Sequence, residues 1–179
     1  MNVLGFIICL ILNTVSSSIW PTSLGDITAA LDAKIPPAGF AFAIWGLIYA
    51  LMGVFVVYQA LPDSWVPDRN NELIFKKIGY FFFANMILNG AWLVIYQSYT
   101  GWGFVLGLID ISTLLATCVY IMRLSDSTSD INITEWISLR GGFSLYSGWV
   151  MAATIINVAY NLKYFGVLAD PDIPWFDEE

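Results

Sequence analysis

The sequence predicts an all-α integral membrane protein built as a five-transmembrane-helix bundle. Three observations point there. The chain of 179 residues is 58% hydrophobic and 12% charged, with a mean hydropathy of +0.71, too apolar to wrap one small core in polar surface. Its apolar residues gather in five runs, at about 3–19, 38–60, 78–97, 102–122 and 141–162, each near the ~20 residues a helix needs to cross a bilayer. Every charged side chain except Asp110 falls outside those runs. Residues 1–166 therefore read as one membrane domain, and 167–179 as an acidic C-terminal tail.

The first run carries no charge and lacks the positive flank of a cleaved signal peptide, so it is expected to remain as a helix. Gly5, Cys9, Asn13 and Ser16 recur along it as a small, weakly polar stripe suited to close helix packing in lipid. Pro21 and Gly25 mark its end. A short helical turn over 26–34, capped by Asp26 or Thr28, is expected to lie over the membrane surface as a lid. Pro36 and Pro37 then open the second helix, because proline fits a first turn where no backbone N–H needs a partner. Ala41, Trp45, Tyr49 and Met52 share one face of it. Trp45 sits too deep for the interfacial belt where tryptophan usually collects, so it either packs between helices or lines a site. The charged interval 61–77 reads as a solvated loop. On the third helix Asn85, Asn89, Trp92 and Tyr96 form a polar and aromatic face. The fourth helix follows a tight turn and carries Asp110. The interval 123–138 reads as a second polar loop containing a formal glycosylation sequon, Asn132-Ile133-Thr134. The fifth helix sets Tyr146, Trp149, Ala153, Asn157 and Tyr160 along one face. Lys and Arg concentrate at 69–77 and 123–140, which by the positive-inside rule puts the N-terminus inside and the C-terminus outside.

Composition excludes several chemistries. The chain has no His, the commonest general base, metal ligand and haem ligand. Cys9 and Cys118 lie alone in apolar runs, which suggests buried inert thiols rather than a disulfide framework or a zinc site. A net charge of -7 without a basic patch argues against a nucleic-acid partner. Acid–base catalysis would fall to Asp110 and tyrosines, so no enzyme and no covalent cofactor are expected.

Depth arithmetic narrows the candidate site. At ~1.5 Å per residue, Trp45 lies about 12 Å, Asn89 and Asp110 about 12–14 Å, and Asn157 about 9 Å from the side of the first loop. Four helices thus place these side chains in one layer. A carboxylate in mid-membrane costs at least ~2.5–3.5 kcal/mol and should face the interior with a partner. Asn89, at matched depth on the adjacent helix, is the expected one. Asp110 then reads either as a structural carboxyl fixing the third helix to the fourth or as a ligand or proton contact. Trp45 and Trp92 converging near a polar layer describe an apolar pocket with a few fixed polar groups.

The set PPAGFAFAIWGLIY, LNGAW, LGLIDIS and GWVMAATIINVAYNL, in order across all five helices, resembles the tryptophan-rich sensory protein (TspO/MBR, translocator protein) family, in a divergent branch. The sequence departs from typical members in Gly39-Phe40, in Arg140-Gly141-Gly142 and in lacking His. The resemblance implies a five-helix bundle, often dimeric, with a cavity opening toward the first loop that accepts a tetrapyrrole, a sterol or a drug-like aromatic molecule. Carried onto this chain, the cavity takes Trp45, Tyr49, Asn89, Trp92, Trp149 and Asn157, beside Asp110 from the depth layer. It also implies a cholesterol-recognition pattern at 158–163, where an interfacial Tyr160 and a snorkelling Lys163 explain the same residues. A mitochondrial membrane is expected from family habit.

Three readings of function remain open at this point. One is a receptor, sensor or carrier for a hydrophobic small molecule, as a homodimer or within a larger membrane complex. Another is a structural subunit of such a complex, its pocket vestigial or filled by lipid and its tail, with Trp175 and Phe176, docked on a partner. An enzyme is the third and the least supported.

Overall fold

The computed structural model describes residues 1–31 and 38–167. Lys34, the two prolines before the second helix, and the tail from residue 168 lie outside them. Among the described residues the chain is helical throughout, without strands. The long helices are α1 (Asn2–Ile19), α3 (Ile44–Ala60), α4 (Tyr80–Tyr96), α5 (Gly101–Asp126) and α7 (Gly142–Tyr164). Two short ones complete the series, α2 (Leu24–Ala30) and α6 (Ile133–Glu135).

The long helices close into a ring. α1 packs on α4, α4 on α5, α5 on α7, α7 on α3, and α3 back on α1. Small residues set the spacing. A Cβ on Gly90 would lie 3.1 Å from Cys9 Cα and 2.9 Å from a Leu12 methyl, so α1 and α4 meet nearly backbone to backbone. Outside the ring the surface is apolar: Leu4, Ile7, Leu47, Val57, Ile109 and Ile155 are all exposed. Inside it sit Asn85, Asn89, Ser147, Asn157 and Asn161. That inversion suits lipid, where exposed side chains need no water and polar groups must pair within the protein.

By length and composition three helices can cross a membrane: Gly39–Ala60, Gly101–Asp126 and Ile133–Tyr164. A fourth is counted if the pair Glu72–Ile78 and Tyr80–Tyr96, bent by 63°, forms one span. Asn2–Ser16 is a shorter apolar helix. The protein is a multi-pass integral membrane protein with three to four spans by this measure, against the five expected.

Both expected loops are more structured than the sequence suggested. The interval 61–77 contains most of a π-helical turn, Glu72–Ile78, with Leu73, Ile74 and Ile78 buried. Gly79 ends it at φ +41° and lets α4 start in a new direction; a side chain there would be strained. In 123–138, α5 continues to Asp126, and α6 runs through a second π-turn, Trp136–Gly141, into α7. Buried side chains hold these connections. Glu135, fully buried, accepts from the Asn70 N–H (2.7 Å), the Tyr58 hydroxyl (3.3 Å) and the Asn132 N–H (3.2 Å). Arg69 donates to the carbonyls of Tyr58, Gln59 and Leu61 at the end of α3 and pairs with Asp63. Arg140 does the same for α5, reaching the Ser125 carbonyl at 2.8 Å and that of Thr128 at 3.1 Å. Gly142 follows because α7 crosses α3 closely there, where a Cβ would meet Met52 at 2.8 Å. The departure at 140–142 thus has a packing reason. In the sequon, Asn132 donates its side-chain amide to Tyr58 and to the Asp68 carbonyl; the glycosylation nitrogen is already engaged.

At the other end, α2 starts earlier than expected, with Ser23 as its N-cap and Asp26 completing the cap, while residues 32–34 of the expected turn lie outside the described residues. Ser23 accepts from the Asp26 N–H (3.1 Å), and Asp26 accepts in return from the Ser23 N–H (2.8 Å), a capping box. Ile27 and Leu31 beneath it are buried against Tyr96, Phe104 and Tyr160, so α2 covers this end of the ring.

Candidate functional site

Asn89 is the polar centre of the ring. Its Oδ1 accepts from the Tyr49 hydroxyl (2.9 Å), the Cys9 thiol (2.9 Å) and the Asn13 amide (3.2 Å). Its Nδ2 donates to the Tyr146 hydroxyl at 2.6 Å. One side chain therefore ties α4 to α1, α3 and α7. Cys9 and Asn13, read from the sequence as packing residues, belong to this network, and their thiol and amide are structural donors rather than inert groups. The signal was present in the stripe of small polar residues along α1, but helix packing explained it equally well.

Above the network lies a cavity of ≈240 Å3, walled by Phe42, Trp45, Tyr49, Trp92 and Trp149, with Asn13 and Asn89 at its polar margin. The half-buried Trp45 packs between helices and also borders this cavity. It stacks on Tyr49 (centroids 5.4 Å apart, planes at 22°) and meets Tyr146 and Trp149 edge-on at 5.9 and 6.3 Å, while its free surface faces the cavity. The spacing of four along α3 makes the Trp45–Tyr49 stack possible. Leu24 of α2 also lines the cavity, so the lid element is part of its wall.

A smaller chamber of ≈40 Å3 adjoins this cavity and shares Leu24, Phe42, Trp92, Trp149 and Ala153 with it. Asn157 lines this annex rather than the main chamber, together with Tyr96 and Tyr160. Tyr160 is 4% exposed. It therefore points into the annex, and the cholesterol-recognition pattern at 158–163 does not present its tyrosine to lipid.

Asp110 stands apart from the other candidates. It is 9% exposed, its Oδ2 has no partner, and it lines neither chamber. No hydrogen bond joins it to Asn89 among the described residues. The cause is rotation about the helix axis. Matched depth fixes height, but successive residues turn by about 100°, and Asn89 turns toward α1, α3 and α7. The polar link between α4 and α5 is made one turn earlier, where Asn85 donates to Thr117 (2.8 Å) and Cys118 (3.1 Å).

The family profile described as TSPO-like protein matches residues 1–170. The chain belongs to the TSPO-like protein family. No curated protein and no solved structure matches it. Nearly the whole chain is covered, so all the helices described above fall within the TSPO-like match, and so do Trp45, Tyr49, Asn89, Trp92, Asp110, Trp149 and Asn157. Among the described residues outside the long helices of this TSPO-like chain, Asp26 has its titration shifted by the fold. The Ser23 hydroxyl, and then the Ser23 backbone N–H, hold its carboxyl below the usual carboxylate range. No cluster of His, Cys, Asp or Glu among the described residues could hold a metal ion.

Proposed function

We propose that this TSPO-like membrane protein binds a hydrophobic small molecule in its interhelical cavity, as a receptor, sensor or carrier, with all five long helices crossing the membrane. The observation that carries the reading is the ≈240 Å3 chamber with aromatic walls and a single polar margin. Ligand sites have that character, an apolar enclosure with few orienting groups. The size narrows the ligand class. Chambers that hold drug-sized ligands run to ~300–1,000 Å3, so a tetrapyrrole or sterol needs α2 to lift, whereas a compact aromatic molecule or a single lipid chain does not. Titration of tryptophan fluorescence in nanodiscs tests the site. Saturable quenching by a compact aromatic ligand is expected in the native chain and is diminished in Trp45→Ala with helical circular dichroism intact, Trp92 and Trp149 still lining the chamber. Undiminished quenching in that variant removes Trp45 from the site.

One observation favours a second reading, a structural subunit of a larger complex. The amide of Asn89 is engaged with four protein groups, and the chamber is small, as in a pocket that the chain's own side chains have largely closed. Mild extraction from native membrane followed by a native gel separates the two. Co-migration with a large assembly at fixed stoichiometry supports the subunit; a 20.0 kDa chain or its dimer with a co-purified small molecule supports the binding protein.

A further inference from the structure

Asn89 borders the main chamber, but its hydrogen-bonding capacity is largely taken up inside the protein. The unengaged polar atoms lie elsewhere. The indole N–H groups of Trp92 and Trp149, the hydroxyls of Tyr96 and Tyr160, and Oδ1 of Asn157 are buried and have no partner. All five side chains line the ≈40 Å3 annex, and the two tryptophans also line the main chamber. Tyr96, Tyr160 and Asn157 are 0%, 4% and 3% exposed, so solvent does not satisfy them from outside.

The chemistry of this set is lopsided. An indole N–H can only donate, and a tyrosine hydroxyl has one proton to give. Four donors thus face three acceptor oxygens, those of Tyr96, Tyr160 and Asn157, none of them at hydrogen-bond distance, and donors left unpaired in an apolar wall are costly. An oxygen acceptor is the missing partner. No Lys or Arg is among the described residues lining either chamber, so an ionised carboxylate entering here would lack a counter-charge. The annex has room for one small group, a water or a carbonyl-type oxygen.

We infer that the cavity takes an uncharged, oxygen-bearing apolar ligand whose carbonyl-type oxygen points toward α2, into the annex among Trp92, Tyr96, Trp149 and Tyr160, and away from Asn89. The inference rests on the cavity being a ligand site and adds the class and direction of its ligand. It also gives α2 a role, since Leu24 and Thr28 close the annex and would seal the polar head from the membrane surface.

Two planar probes of nearly equal shape, fluorene and 9-fluorenone, test it on the full chain in nanodiscs, with empty nanodiscs as the partition blank. Fluorenone is expected to bind roughly five- to tenfold tighter, the size of one net hydrogen bond. Its carbonyl stretch is expected to move to lower frequency on binding. Tyr96→Phe combined with Tyr160→Phe keeps both rings, and it is expected to reduce the advantage of fluorenone over fluorene and the shift. Should that variant fail to fold, the infrared shift in the native chain still decides. Equal binding of the two probes with an unshifted stretch means the annex holds only water; the inference falls and the cavity reading stands. An unaltered advantage and shift in the folded double variant overturns the placement in the annex. Tighter binding of fluorene-9-carboxylate than of fluorenone overturns the uncharged class. If neither fluorene nor fluorenone binds, the cavity reading itself is wrong, and the inference goes with it.

Discussion

Replacing Asn89 by leucine tests whether the ring is held by its central amide. Leucine has a similar volume and fills the same space, so the change isolates hydrogen bonding from packing. The native side chain joins Tyr49, Cys9, Asn13 and Tyr146 at 2.6–3.2 Å. Interhelical hydrogen bonds in membranes are worth ~0.6 kcal/mol each on average and up to ~1.7, and the thiol bond belongs at the weak end. The loss is therefore about 2–3 kcal/mol, more if the Tyr146 hydroxyl, fully buried, finds no other partner. Reversible unfolding in mixed micelles measures it. Tyr146→Phe alone should cost about 0.5–1.5 kcal/mol, and close to nothing in the Asn89→Leu background, because its partner is already gone. A cost for Asn89→Leu below about 0.5 kcal/mol, or an equal effect of Tyr146→Phe in both backgrounds, would falsify the claim that this amide joins four helices.

Other perturbations separate roles that the sequence left joined. Asp110→Leu should leave stability unchanged or raise it, since it removes a buried carboxyl oxygen without a partner; a loss above about 1 kcal/mol in thermal or denaturant unfolding would show that Asp110 has a bond the geometry lacks. Gly90→Ala should destabilise by about 1–3 kcal/mol, because the added carbon lands 3.1 Å from Cys9 Cα and α1 must move; an unshifted melting temperature would mean the α1–α4 contact is looser than described. For Asp26 the sign follows from its lowered folded-state pKa. The capping contribution is full above the ordinary value of 3.8 and is lost as pH falls through the lower folded value. Hydrogen exchange of the α2 amides should therefore quicken only in acid, and Asp26→Asn should abolish that dependence; an identical acid profile in the variant would place the titration elsewhere.

The all-helical class and the multi-pass membrane character were legible in the sequence because long apolar runs bounded by proline, glycine and charge have few other readings. The connections were not. Leu73, Ile74 and Ile78 interleave with Glu72, Lys76 and Lys77 in a pattern that fits neither a helix of 3.6 residues per turn nor a strand, and the chain resolves it with a π-turn. The candidate site was half legible for a related reason. Counting residues along a helix gives depth, and Trp45 and Asn89, at matched depth, both line one chamber. Rotation about each axis depends on which neighbours the whole ring supplies, so the same arithmetic gave Asn89 the wrong partner and set Asn157 one chamber away from its place. The network on Asn89 shows why the error was natural. An interior asparagine in lipid must find partners, but whether they are protein groups or a ligand depends on Cys9, Asn13, Tyr49 and Tyr146 arriving from three other helices at once. Once they have arrived, the unpartnered donors among the residues lining the annex are those of Trp92, Trp149, Tyr96 and Tyr160. On the proposed reading the polar end of a ligand lies beneath α2, and Asn89 serves to hold the walls in place.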